Sequence, residues 1–333
     1  MSALTPGKVA GLNAVADERG VIAAVAMDQR GYLKQMFVRE LGHDPSDAQM
    51  SEFKEVVARN LTRHCSSILL DVEYGLNATR EINGKGLLLA YEKAGYSPDK
   101  PEKLPTATEG WSALRIKEAG ANAVKILVFY NPFEKEWVNN QKKAWVERIG
   151  AECRAVDIPL FLEFLGYDVH GVGEGSAEYA KLKPEIVIRS IEEFTKERYG
   201  ADVLKLEVPI QMNYVEGASC CKEQPVYTHE EAIQLFHKAA NTTDLPIVYL
   251  SAGVTSEVFV ETLQMAADSG VAFHGILGGR AIWQDGVPIY VKSGVGALEE
   301  WMRTTGAQNV EDVKKVLQKA RSWKEARSMQ GRV

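Results

Sequence analysis

Cysteine is scarce in this chain and poorly placed for cross-linking. There are four in 333 residues, and two of them, Cys220 and Cys221, are adjacent. A disulfide-stapled scaffold is excluded, and no CxxC pair is present for zinc, so a reducing compartment, the cytoplasm, is expected. Long apolar runs are missing too. VIAAVAM at 21–27 falls far short of the about 18 residues a membrane span needs. The N-terminal stretch carries Asp17, Glu18 and Arg19 just before that run. It has no basic segment followed by a long apolar one, so it reads as a short capping helix rather than a secretion signal. Positive charge is in slight deficit, 39 Lys and Arg against 45 Asp and Glu, net −6. That argues against a general nucleic-acid or anionic-membrane surface, and neither partner is expected, although a local basic pocket stays open. Glycine (28) and proline (12) are ordinary, and 45% apolar residues suffice for a core, which excludes collagen-like and disordered classes.

Several catalytic signatures are also missing. No GxGxxG turn follows the first apolar run, and there is no P-loop GxxxxGK[ST]. No GxSxG marks a nucleophilic serine. The six histidines show neither HxH nor HExxH spacing. Asp28, Asp71, Glu73 and Glu163 could hold Mg²⁺, but interior lysines compete for the same carboxylates. No metal and no cofactor is expected.

What is present is a recurring alternation. Short apolar segments rich in β-branched and aromatic residues occur at 21–28, 67–74, 87–92, 123–130, 159–165, 203–209, 246–253 and 273–279, as in buried parallel strands. Between them, 46–65, 134–157, 176–199, 228–241 and 255–269 read as helices, the last two opening on the N-cap candidates Thr228 and Thr255. Glu231, three residues after Thr228, completes a capping box. Eight strands alternating with helices predict an α/β fold, a (β/α)8 TIM barrel forming a single domain over 1–333, with a doubly wound open sheet as the rival. Residues 93–105 read as a loop, and 307–333 as a basic, solvated outer helix.

Alternate strand residues face a barrel's interior, where charge is costly unless paired or functional. Yet Lys205 and Glu207 share one face of VLKLEVP, Lys125 lies within AVKIL, Glu163 within FLEFL, and Asp28 ends the first strand. An internal ion-pair network would explain each of them singly; Glu207 or Asp71 could simply neutralise a lysine. Jointly they suggest more. Two lysines close together in a low-dielectric interior disfavour each other's charge, and a lysine so treated offers the free amine that Schiff-base chemistry uses. After the seventh and eighth strands come Ser251-Ala252-Gly253 and Gly278-Gly279-Arg280. Barrels commonly build a phosphate site there, and Arg280 would add a charged fork. Gln29 and Arg30 could hold a second anion across the mouth, or form an ordinary polar loop.

AMDQRG (26–31), LLDVEYG (69–75), LLLAYEKAGY (87–96), VKILVFY (124–130), FLEFLGYD (161–168), VLKLEVPIQMNYVEG (203–217), YLSAGV (249–254) and EWMRTTG (300–306) together resemble the bacterial class I tagatose 1,6-bisphosphate (diphosphate) aldolases. The resemblance is collinear from about residue 8 to about 323. It implies a (β/α)8 barrel that splits D-tagatose 1,6-bisphosphate, without a metal, into dihydroxyacetone phosphate and D-glyceraldehyde 3-phosphate. By the same resemblance Lys205 is the Schiff-base lysine and Glu163 the proton-transferring carboxylate. Asp28, Gln29, Arg30 and Lys125 are then polar active-site residues, and Ser251, Gly253, Gly278, Gly279 and Arg280 hold the first phosphate. The expected partner is a small ketose bisphosphate, and a homo-oligomer is expected. The alternatives are the same chemistry on another ketose phosphate or a sulfonated sugar phosphate, and a sugar-phosphate-sensing barrel with little turnover.

Overall fold

The computed structural model describes residues 4–93, 102–222 and 224–326. Part of the loop expected at 93–105, and the last residues of the expected tail helix, lie outside the described residues. The strands are β1 (Ile22–Ala26), β2 (Ser67–Asp71), β3 (Gly86–Ala90), β4 (Ala123–Phe129), β5 (Leu160–Leu165), β6 (Val203–Leu206), β7 (Ile247–Leu250) and β8 (Gly275–Gly278). All neighbours pair in parallel, and β8 returns to β1, closing the barrel. The open-sheet rival is excluded. All eight expected strands are present, each one to four residues shorter than its apolar run; in β1, β2, β6 and β7 most of the difference is at the C-terminal end, where the chain leaves the ladder to form the mouth.

The helices are α1 (Pro6–Val15), α2 (Gly31–Leu41), α3 (Asp47–Leu61), α4 (Ala113–Glu118), α5 (Glu136–Ala155), α6 (Ala177–Phe194), α7 (His229–Asn241), α8 (Ser256–Asp268), α9 (Arg280–Trp283), α10 (Gly286–Trp301) and α11 (Ala307–Val316). Their starts follow the sequence. Thr228 and Glu231 form the expected capping box on α7, and the Thr255 side chain caps α8. Ser46 and Gln49 form a second box on α3. Each box satisfies otherwise orphaned N–H groups of a first turn.

Strand alternation sorts the core into two parts. Outward side chains such as Ile68, Leu70, Leu162 and Leu204 pack beneath the helices. Inward ones, including Ile22, Ala24, Leu69, Leu88, Ala123, Phe161, Val203 and Val248, fill the barrel. Leu12 and Val15 of α1, with Leu4 just before it, close its floor, so the N-terminal segment is the capping helix its sequence suggests. The floor has a second contributor that corrects the reading of the tail. α11 ends at Val316, and the chain then turns beneath the barrel instead of continuing as a solvated helix. Arg321 N donates to Phe273 O (2.9 Å) and Trp323 N to Gly20 O (2.9 Å). Trp323 is fully buried in the inner core. The large apolar area of the indole, which helical periodicity does not register, takes the chain there.

Charged clamps fasten helices to strand ends. Lys54 of α3 is completely buried; it donates to Met27 O (2.8 Å), Gln29 O (2.9 Å) and the Asp71 carboxylate. It therefore grips the backbone on both sides of Asp28. Lys183 of α6 pairs with Glu207 (3.0 Å), whose Oε1 accepts from Gly166 N (2.6 Å), tying the ends of β5 and β6 together. Among the described residues no helix is long and apolar enough to cross a membrane.

Replacing Trp323 by Ala should cost about 3–5 kcal/mol of stability. This would be read as a lower urea midpoint at unchanged slope. A loss below about 1 kcal/mol would be the size of an ordinary surface change and would show that the floor closes without the indole.

Candidate active site

At the C-terminal mouth of the barrel five charged side chains meet. Lys205 on β6 and Glu163 on β5 are direct register partners, and β4 stands on the other side of β5 with Lys125. Lys205 Nζ donates to Glu163 Oε2 at 2.8 Å, and the same oxygen lies 2.9 Å from Lys125 Nζ. Lys125 also donates to Asp28 Oδ2 (2.7 Å), past the end of β1, and to Glu92 Oε1 (2.7 Å), past the end of β3. All five side chains are buried. One carboxylate oxygen thus bridges two lysines, and one lysine is shared by three carboxylates.

The electrostatics of Lys125 differ from the expectation that two interior lysines suppress each other's charge. Burial pulls its pKa down, but Asp28, Glu163 and Glu92 more than offset it and hold the ammonium well above the ordinary lysine value. Lys125 is therefore a fixed cation and not the free amine. Its carboxylate neighbours are driven apart. Burial raises Asp28, but Lys125, Lys205 and Arg30 outweigh it and hold this carboxyl well below the usual range. Burial also raises Glu92, and there, with the Asp28 charge nearby, it prevails over Lys125 and Arg30. Two carboxyls on one ammonium with opposite shifts are a common signature of divided acid and base duties.

The stretches after β7 and β8 form the opposite wall. Gly253 has φ +80°, a conformation that favours glycine, and a Cβ there would lie 2.5 Å from the Arg280 guanidinium carbon. The Arg280 guanidinium stacks over the Tyr32 ring at 4.4 Å from its centre. Gly279 N points at Ser251 Oγ (3.4 Å). The Gln29 amide lies against Gly279, 2.9 Å from the position of a Cβ.

Most of the residues singled out from sequence come together here: Asp28, Gln29, Lys125, Glu163, Lys205, Ser251, Gly253, Gly279 and Arg280. Gly278 faces the other way, its Cβ position 2.8 Å from Ile282 Cδ1, so its side is set by helix packing. Arg30 is at the mouth, with its guanidinium directed at Glu73 (3.1 Å), the Glu92 carbonyl (2.9 Å) and the Glu92 carboxylate (3.7 Å). Asp71 and Glu207 serve the Lys54 and Lys183 clamps, the neutralising role that sequence reasoning left open for them. Glu92 was missed. The alternation Leu88, Ala90, Glu92 would have found it, since the first two face the barrel interior. Tyr32 carries no such signal, being an exposed aromatic on α2. Among the described residues, no group of three or more His, Cys, Asp or Glu is arranged to hold a metal ion; Asp28, Glu92 and Glu163 face the Lys125 ammonium instead.

Comparison with known proteins agrees with this geometry. Residues 22–285 match the model of the DeoC/LacD family aldolase. A tagatose 1,6-diphosphate aldolase of Listeria monocytogenes is 50% identical over 318 residues, covering 95% of this chain and 93% of that protein. One of Streptococcus pneumoniae is 48% identical over 325 residues, with 97% and 99% covered. One of Staphylococcus aureus is 48% identical over 320 residues, with 96% and 98% covered. Among solved structures, the fructose-bisphosphate aldolase of Plasmodium falciparum superposes with a TM-score of 0.68 at 14% identity over 96% of both chains, a likeness of fold. With a lysine pair bridged by a carboxylate inside a closed (β/α)8 barrel, and near half-identity along almost its whole length, this chain belongs to the DeoC/LacD family of aldolases and is a carbon–carbon lyase.

Proposed function

We propose that the chain cleaves D-tagatose 1,6-bisphosphate, reversibly, into dihydroxyacetone phosphate and D-glyceraldehyde 3-phosphate through a Schiff base on Lys205. The observation that carries this reading is the Glu163 oxygen shared by Lys205 at 2.8 Å and Lys125 at 2.9 Å. The named activity of the relatives supplies the substrate.

The chemistry follows from the placement. The Lys205 amine adds to the C2 ketone, and loss of water leaves an iminium ion. Glu163, within hydrogen-bonding reach of that nitrogen, takes the proton of the C4 hydroxyl. The C3–C4 bond breaks, glyceraldehyde 3-phosphate leaves, and the bonding electrons pass into the iminium to give an enamine. A proton returns to C3, and water hydrolyses the imine to release dihydroxyacetone phosphate and the free amine. Lys125, as a fixed ammonium, orients Glu163 and Asp28 and supplies positive potential where oxygen charge develops. Arg280, with the backbone at Ser251, Gly253 and Gly279, receives the first phosphate, and Gln29 lies beside it. Arg30 acts through Glu92 and Glu73.

We also read residues 1–333 as one domain serving this reaction, because α1 and Trp323 close the floor of the same barrel. The cytoplasm is the compartment we assign, on the ground that Cys65, Cys153, Cys220 and Cys221 are all free.

Borohydride added with dihydroxyacetone phosphate should inactivate the protein and label Lys205, as read by peptide mass mapping. A label on Lys125, or none, would remove the Schiff-base assignment. Glu163→Gln should retain substrate binding and slow turnover by about 10²–10⁴-fold, the usual size of a general acid–base contribution. Near-normal kcat in that variant would shift the role to Asp28. Arg280→Ala should raise KM for the bisphosphate by roughly 10–150-fold, equivalent to about 1.5–3 kcal/mol for a charge-assisted contact. Its melting temperature should hold, and the penalty should shrink for a substrate lacking the 1-phosphate. A lower melting temperature with equal penalties on both substrates would make Arg280 structural.

A further inference from the structure

Among the buried side-chain atoms left without a hydrogen-bond partner, three belong to side chains that meet around Lys125 and Glu92: Asp28 Oδ1, Arg30 Nε and Glu92 Oε2. A buried polar atom without a partner is costly, and native structures rarely leave several in one place with nothing to satisfy them. The groups are a string of donors and acceptors, which suits a hydroxylated carbon chain better than an apolar ligand.

Glu92 is the one whose geometry says most. It follows Leu88 and Ala90 on the inward face of β3, so its carboxyl belongs to the barrel cavity. Its Oε1 is fixed by Lys125 at 2.7 Å and approached by Arg30 at 3.7 Å, while Oε2 is free. In the closed ring of eight strands, β3 stands opposite β7. A substrate with its first phosphate at the ends of β7 and β8, and its second carbon at Lys205 on β6, extends its remaining carbons across the mouth toward Lys125 and Glu92.

We infer that Glu92 is a specificity-determining residue whose free Oε2 hydrogen-bonds a hydroxyl on the aldehyde half of the substrate, the half released by cleavage. The inference rests on the aldolase reading above and adds a residue for the half that leaves. The free Oε2 can accept a hydrogen bond from such a hydroxyl. The competing role is purely structural, with Glu92 only neutralising Lys125 and Arg30.

Two reactions separate these roles. Borohydride trapping with dihydroxyacetone phosphate alone uses Lys205 and the phosphate wall but has no aldehyde half. Condensation with glyceraldehyde 3-phosphate uses both. In Glu92→Gln, KM for glyceraldehyde 3-phosphate should rise about tenfold or more, exceeding any loss in trapping rate. Glu92→Asp keeps the charge beside Lys125 and Arg30 but withdraws the free oxygen. It should show the same selective rise, and it carries the test if the Gln variant is poorly folded. Equal losses in trapping and condensation would assign Glu92 to Lys125 and overturn the inference, as would an unchanged KM. Failure of the unsubstituted protein to be trapped would overturn the aldolase reading, and this inference with it, and is recognised before any variant is made.

Discussion

The Lys125 ammonium, buried among Asp28, Glu92 and Glu163, is the interaction on which the rest of the mouth depends. Taking one ammonium and three carboxyls out of water is unfavourable, and their attraction offsets the loss only if geometry is tight. Here every contact is between 2.7 and 2.9 Å. The three carboxyls come from three different strands, Glu163 from within β5 and Asp28 and Glu92 from just past β1 and β3, so the cluster forms only when the barrel is closed. Removal of any one member would leave the others buried and short of a partner. The cluster therefore fixes the relative heights of β1, β3, β4 and β5, and with them the position of Glu163 beside Lys205.

The clamps around this cluster act on backbone as much as on side chains. Lys54 holds the carbonyls of Met27 and Gln29, and so fixes the turn that presents Asp28. Glu207, held by Lys183, takes the Gly166 N–H and fixes the chain leaving β5 just after Glu163. A reacting group needs its placement held within fractions of an ångström, and a loop tethered at both sides supplies that. The opposite end of the barrel is built differently. Its floor is closed by the apolar side chains of α1 and by Trp323, with Lys8 of α1 paired to Asp202 at 2.8 Å just before β6. Stability is concentrated at one end and chemistry at the other, as is usual for (β/α)8 barrels.

Strand alternation made much of this visible in advance. Eight apolar runs at barrel spacing, with Lys125, Glu163 and Lys205 on inward positions, could be read from the chain because a strand's period is fixed by backbone geometry. The caps at Thr228 and Thr255 were equally local. Glu92 followed the same alternation but lay at the edge of its run, two residues past the end of β3, where strand and loop cannot be told apart without the ladder. The tail was misread because a basic, helix-forming composition says nothing of a single tryptophan that finds a pocket about 300 residues away in sequence, beside Gly20.

What the sequence determined by itself, then, was the barrel, the face each strand residue takes, and the types of charged group that enter the interior. These rest on local periodicity and on the cost of isolated buried charge. What only the tertiary structure decided was which charge meets which. Asp71 and Glu207 went to clamp lysines, while Asp28, Glu92 and Glu163 converged on Lys125, and Lys125 became a fixed cation instead of a suppressed one. A pKa depends on every charge within a few ångströms, and those neighbours come from strands far apart in the chain. No spacing rule along the sequence contains that distance.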